Sequence, residues 1–139
     1  MTKLTLWNNT DLDMAERGLI SPDAVRKVEI EALVDTGATM LVIPIDAAEA
    51  LGLPVLELLP VRLADTSVRE MPVVGSLKIS ILGRGMFCDA LAAPVGSTAL
   101  IGQIPLERLD LIVDPKSREL RVNPASPDVP QVYALRAAA

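Results

Sequence analysis

Ala32-Leu33-Val34-Asp35-Thr36-Gly37-Ala38-Thr39-Met40-Leu41-Val42-Ile43-Pro44 sets one acidic side chain inside an apolar run. Immediately upstream, Val28-Glu29-Ile30-Glu31-Ala32 alternates apolar and charged residues, the period of a half-buried strand. Asp35 is therefore expected where that strand ends, on a turn that uses Gly37. Asp and Gly are ordinary turn residues. The hydrophobic sequence on both sides is what makes this turn a candidate for presenting a catalytic carboxylate.

Outward from this stretch the chain reads as mostly strand with brief helices. Strands are expected over 55–59, 61–64, 71–74, 77–82 and 86–91, divided by Pro60, Pro72, Gly75 and the Gly83-Arg84-Gly85 turn. Leu4 and Leu6 alternate with polar residues, and Asn9-Thr10-Asp11 precedes a short helix that Gly18 should end. After Pro44, Asp46 and Glu49 have capping-box spacing, opening a second short helix that stops at Gly52. A second apolar run ending in glycine, Ala99-Leu100-Ile101-Gly102, leads to helical turns starting on Pro105. The segments 109–113 and 119–122 then flank Asp114-Pro115-Lys116-Ser117-Arg118 as a hairpin. Regular short strands with frequent turns argue an all-β barrel or sandwich.

At 139 residues the chain is read as one domain over 1–123, followed by a loose Pro/Ala-rich tail over 124–139. Half of the residues are hydrophobic but only 2% are aromatic, so the core must be aliphatic. A net charge of -5 lacks the basic footprint that nucleic acid requires. No stretch approaches the roughly 20 apolar residues of a membrane span, and no leader-like apolar segment opens the chain, so a cytoplasmic protein without membrane association is expected. The single Cys88 excludes an intrachain disulfide and is read as a small packed hydrophobe.

Histidine is absent, which removes Ser-His-Asp triads, Cys-His pairs and His-containing metal sites. Any acid/base chemistry must come from carboxylates, lysines or Tyr133. Asp11 and Asp13 are too few for a calcium loop and are read as a solvated helix start. Trp7 is expected to anchor the core or a dimer interface.

Asp35-Thr36-Gly37-Ala38-Thr39 in its apolar frame, a strand-rich body, Leu100-Ile101-Gly102 ahead of a short helix, and a terminal hairpin together resemble the retropepsin-like aspartic proteases. The likeness spans approximately 28–123 and is strongest to the single-domain bacterial members. It implies an all-β fold, a closed β-barrel lobe of six to seven strands with one or two short helices. Two lobes make one active site in that family, and this chain has one such motif, since Ala64-Asp65-Thr66-Ser67 lacks the glycine. The resemblance therefore implies a homodimer acting on peptide or protein substrates, without metal or organic cofactor.

By the same resemblance Asp35 is the catalytic residue, supported by Thr36, Gly37, Ala38, Ile101 and Gly102. Thr36 would cross-link the two aspartate loops. Ala38 stands where many cellular relatives have serine, which predicts a less acidic working pH. The substrate-covering flap is assigned to the hairpin between 61–64 and 71–74, with Ala64, Asp65, Thr66, Ser67 and Val68 at its tip. That tip has no glycine, and Gln103 occupies the position where viral enzymes usually have arginine. Both departures support an alternative reading, a catalytically weak dimeric peptide-binding or assembly module.

Overall fold

A computed structural model describes residues 1–134; residues 135–139, the end of the expected tail, lie outside the described residues. In chain order the elements are β1 (Thr2–Asn8), α1 (Asn9–Glu16), a single 3-10 turn (Pro22–Ala24), β2 (Lys27–Val34), β3 (Val42–Pro44) and α2 (Ile45–Ala50). Then come β4 (Val55–Arg62), β5 (Val68–Ile81), β6 (Arg84–Ala93), β7 (Ala99–Ile101), α3 (Gln103–Arg108), β8 (Leu111–Val113) and β9 (Leu120–Val122).

Six strands close on themselves in the order β1-β2-β7-β3-β6-β5, with β5 returning to pair with β1 and β4 continuing from β5 as an edge. β8 and β9 form a separate hairpin. Closure follows from the length of β5. Its second half pairs with β1 through Leu77–Ser80 and with β6 through Leu77–Ile81, while its first half pairs with β4 through Val68–Val74. The sequence period fills the barrel: Leu4 and Leu6, then Leu77, Ile79 and Ile81, alternate inward and are fully buried. Each such side chain contributes roughly 1.5–3 kcal/mol by leaving water. Among the described residues no aromatic ring joins this core.

Several expectations are corrected. Pro60, Pro72 and Gly75 do not break strands; β4 and β5 run through them. Pro60 sits on the edge strand and Pro72 where β5 has a single neighbour, since pairing with β6 begins at Val73. A missing N–H is tolerated at such positions. Gly75 lies at a register irregularity of β5 against β6, where a Cβ would come within 3.2 Å of Leu56 and Asp89. β6 extends beyond 86–91 in both directions, to Arg84 and Ala93.

The Asp46 and Glu49 capping box does not form, because α2 starts at Ile45 behind Pro44 without a side-chain cap. The first helix is capped by Asn8, whose side chain accepts from the Asp11 amide, rather than from within 9–11. Gly18 and Gly52, at φ 75° and 65°, do end their helices in the left-handed region.

Asp11 is buried rather than solvated. Its carboxylate accepts from Arg26 Nε at 2.8 Å, Arg26 Nη2 at 3.0 Å and the Arg26 amide at 3.0 Å, and that pairing lowers its pKa. Trp7 is not a core anchor. It stands on the barrel's outer face with the Lys27 and Lys78 ammonium groups 5.6 and 5.8 Å from its ring centroid. Cys88 packs against the core as expected, and burial pushes its thiol up to about 12.

Residues 124–131, the first part of the expected tail, are hydrogen-bonded to the lobe. Buried Arg84 donates to the carbonyls of Leu109 and Asp110, both at 3.0 Å, and to that of Ser126. The Asp110 carboxylate accepts from Asn123 Nδ2 at 2.9 Å, from the Ser126 hydroxyl and from the Gln131 amide at 3.0 Å. A charged pair thus closes the bottom of the lobe and anchors the chain as far as Gln131.

Candidate active site

β2 ends at Val34 and the chain turns at once, with the Ala38 amide donating to the Asp35 carbonyl at 3.1 Å. Inside that turn the Gly37 amide donates to Asp35 Oδ1 at 2.9 Å. A Cβ on Gly37 would lie 3.2 Å from the same oxygen, so a larger residue would crowd the carboxylate. Asp35 is half-buried: one oxygen is aimed by the loop's own backbone, and the side chain lines a cleft.

What holds the loop is β7, inserted between β2 and β3. It runs parallel to β2 with Ala32 opposite Ala99 and Val34 opposite Ile101, and antiparallel to β3 through Val42 and Leu100. The Asp35 amide donates to the Ile101 carbonyl at 3.0 Å. Beyond Gly102 the Gln103 and Ile104 amides donate to the carbonyls of Ala38 and Thr39, at 2.8 and 2.9 Å. Both shoulders of the aspartate loop are therefore bonded to one crossing segment.

Gly102 makes the crossing possible. A Cβ there would meet the Met40 carbonyl oxygen at 2.4 Å and that of Ala38 at 2.7 Å, both backbone atoms that cannot swing aside. Asp35, Gly37, Ala38, Ile101 and Gly102, separated by more than 60 positions, are thus brought together, with Thr36 exposed at the loop's apex.

The β4–β5 hairpin faces this loop across a cleft of about 1240 Å³. Its walls are largely aliphatic, with Met40, Val42, Leu59, Val61, Met71 and Leu91 among them. The tip is tighter than the sequence implied. Ala64–Ser67 form the turn, whereas Val68 is already in β5, opposite Arg62. The Leu63 amide donates to the Ser67 carbonyl at 2.8 Å, and the Asp65 carboxylate accepts from the Ser67 amide and hydroxyl. Those bonds lower the Asp65 pKa, the hydroxyl contributing most. Without glycine, Thr66 takes the left-handed conformation at φ 69°, a costly one for a β-branched residue.

Gln103, which the sequence marked only as a departure from the viral pattern, has a positive role: its Nε2 donates to the Thr36 carbonyl at 3.1 Å and braces the apex of the aspartate loop. Sequence reasoning did not single out the cleft wall. The wall residues Leu59, Val61 and Met71 become visible only once hairpin register is known, because register decides which of them share a face.

A closed β-barrel whose aspartate turn is threaded by a hydrophobic-Gly strand, under a projecting hairpin, defines a retropepsin-like acid-protease lobe. The profile described as aspartyl protease matches residues 23–104, more than half of the chain, and the protein belongs to that family. Among solved structures the chain is similar to the retroviral protease-like domain of Ddi1 from Leishmania major, with a TM-score of 0.50 and 17% identity over 89% of each chain. At that identity the likeness establishes fold alone. No curated protein matches the sequence.

Proposed function

We propose that this protein is an aspartic endopeptidase that hydrolyses peptide bonds with two Asp35 carboxylates brought together across a homodimer. The observation that carries the reading is the placement of Asp35, half-buried on a backbone-braced turn at a large aliphatic cleft, in a chain with a single such turn.

Two carboxylates held close cannot both ionise at low cost, so they share one proton. The ionised member takes a proton from water as that water attacks the peptide carbonyl. The protonated member stabilises the oxygen on which charge develops. One Asp35 cannot perform both tasks, which is why the proposal needs a symmetric pair. Thr36 lies at the exposed apex, where a partner loop would meet it, and Gly37 and Gly102 let backbone approach the carboxylates. An extended peptide would lie between loop and hairpin as an added strand, covered by residues 64–68, its apolar side chains in the aliphatic walls.

Titration with a pepstatin-type inhibitor, combined with sizing, tests site and assembly together. Half-stoichiometric binding, one inhibitor per two chains, is the expected result. Cleavage of unfolded or peptide substrates that survives Asp35→Asn would refute the proposal.

The strained, glycine-free tip at Thr66 favours one second reading, a dimeric peptide-binding module with little turnover. Peptide binding without hydrolysis from acid to neutral pH would select it.

A further inference from the structure

The hairpin above the cleft carries a cation that the apolar walls do not explain. In the β4–β5 register Leu59 is opposite Met71 and Val61 is opposite Arg69, and directly opposed residues share a face of the ribbon. Leu59, Val61 and Met71 are the cleft-facing, partly or fully buried set. Arg69 continues that face towards the tip and lines the cleft.

Its charged neighbours are disposed differently. Arg62, paired with Val68, and Glu70, paired with Pro60, alternate onto the other face of the ribbon, although both also border the cleft. Among the described residues no carboxylate lies within 4.0 Å of Arg69, although Arg17, Arg26, Arg84, Arg121 and Lys27 each have such a partner. In a chain with an excess of acidic groups, Arg62 and Arg69 both line the cleft without an ion-pair partner among the described residues, and of the two it is Arg69 that shares the face of Leu59, Val61 and Met71.

From this placement we infer that Arg69 is a specificity-determining residue: it takes the carboxylate of a Glu or Asp side chain on the bound peptide, a few residues from the bond that is cut. The inference rests on the peptidase reading above. A guanidinium presents paired donors matched to the two oxygens of a carboxylate, and Arg69 is exposed, so those donors are accessible to a peptide lying under the hairpin. The preferred substrate is then an apolar peptide with one acidic residue under the hairpin, not a uniformly hydrophobic one.

Peptides acetylated and amidated at their ends, so that no terminal carboxylate competes, would carry a single Glu or Gln scanned along an apolar sequence. At one position wild-type kcat/KM is expected to favour Glu over Gln by roughly tenfold or more. In Arg69→Gln that ratio falls to about one, and in Arg69→Glu the preference turns towards Lys at the same position. The ratio is internal to each variant, so a general loss of activity does not move it. Anisotropy of the same labelled peptides on Asp35→Asn protein gives a readout that needs no turnover. Cleavage with no Glu preference anywhere, or a preference untouched in Arg69→Gln, overturns the inference and leaves the peptidase reading standing. Glu-selective binding lost in Arg69→Gln, with no cleavage by wild type, does the reverse; neither binding nor cleavage sinks both.

Discussion

Asp35 and Asp110 are both half-buried aspartates at sharp turns, and they occupy opposite chemical situations. Asp110 accepts from Asn123, Ser126 and Gln131 with Arg84 behind it, so its carboxylate is surrounded by donors from three directions. Asp35 accepts from the Gly37 amide of its own turn and otherwise lines a cleft. The donors around Asp110 hold its pKa below the ordinary value, Ser126 contributing most, then Asn123 and the Gln131 amide. A carboxylate so committed holds structure, whereas one left open to a cleft is accessible to whatever enters it.

The comparison breaks first if the two residues can be exchanged in consequence. Asp35→Asn should lower peptide hydrolysis by roughly a thousandfold or more while leaving the thermal midpoint within a few degrees. Asp110→Asn should do the reverse, lowering the midpoint and retaining the activity of the folded fraction. Calorimetry and kinetics on both variants decide it.

The next largest effect concerns the partner of Asp110. Arg84→Met removes the donor to three carbonyls and leaves a carboxylate without its cation, so urea unfolding should show a loss of about 3 kcal/mol. At the active-site end, Gly102→Ala drives a methyl into two backbone carbonyl oxygens and should cost about 2 kcal/mol. Its activity should fall out of proportion to that stability loss, because the same backbone positions Asp35.

Acid sharpens the contrast further. A lowered folded pKa means that the stability from Asp110 is present above the unfolded value near 3.9 and is lost as pH falls through the folded one. Thermal midpoints measured from pH 6 down to 3 should decline less steeply in Asp110→Asn than in wild type. Asp11, Asp65 and Asp114 also have lowered pKa values, so the variant should flatten the decline without abolishing it. The smallest effect belongs to Ala38→Ser. A hydroxyl beside Asp35 would favour the charged form and move the pH optimum of hydrolysis downward; an unmoved optimum would show that Ala38 does not tune the site.

Much of this architecture was legible in residue order because alternation and turn chemistry are local. The strand into Asp35, the helices ended by Gly18 and Gly52, the Ile101-Gly102 strand end and the terminal hairpin all follow from patterns a few residues long. Gly75 was absorbed as a register irregularity inside β5, and Pro60 and Pro72 misled because a proline interrupts a sheet only where its missing N–H had a neighbour to meet. Whether it does depends on which strand lies beside it. Asp11 misled for a related reason: its place at a helix start was visible, but Arg26, 15 positions on, was not identifiable as its partner.

Residue order alone determined that one aspartate would be presented on a glycine turn in an aliphatic, strand-rich lobe, since short-range periodicity and backbone sterics suffice for that. Only the tertiary structure decided which carboxylate would be satisfied and which left open, that Gly102 would be crossed by the Ala38–Met40 backbone, and that Arg69 would share a face with the cleft wall. Those outcomes depend on strand register and on contacts between distant segments, where a one-residue slip turns every side chain to the other face.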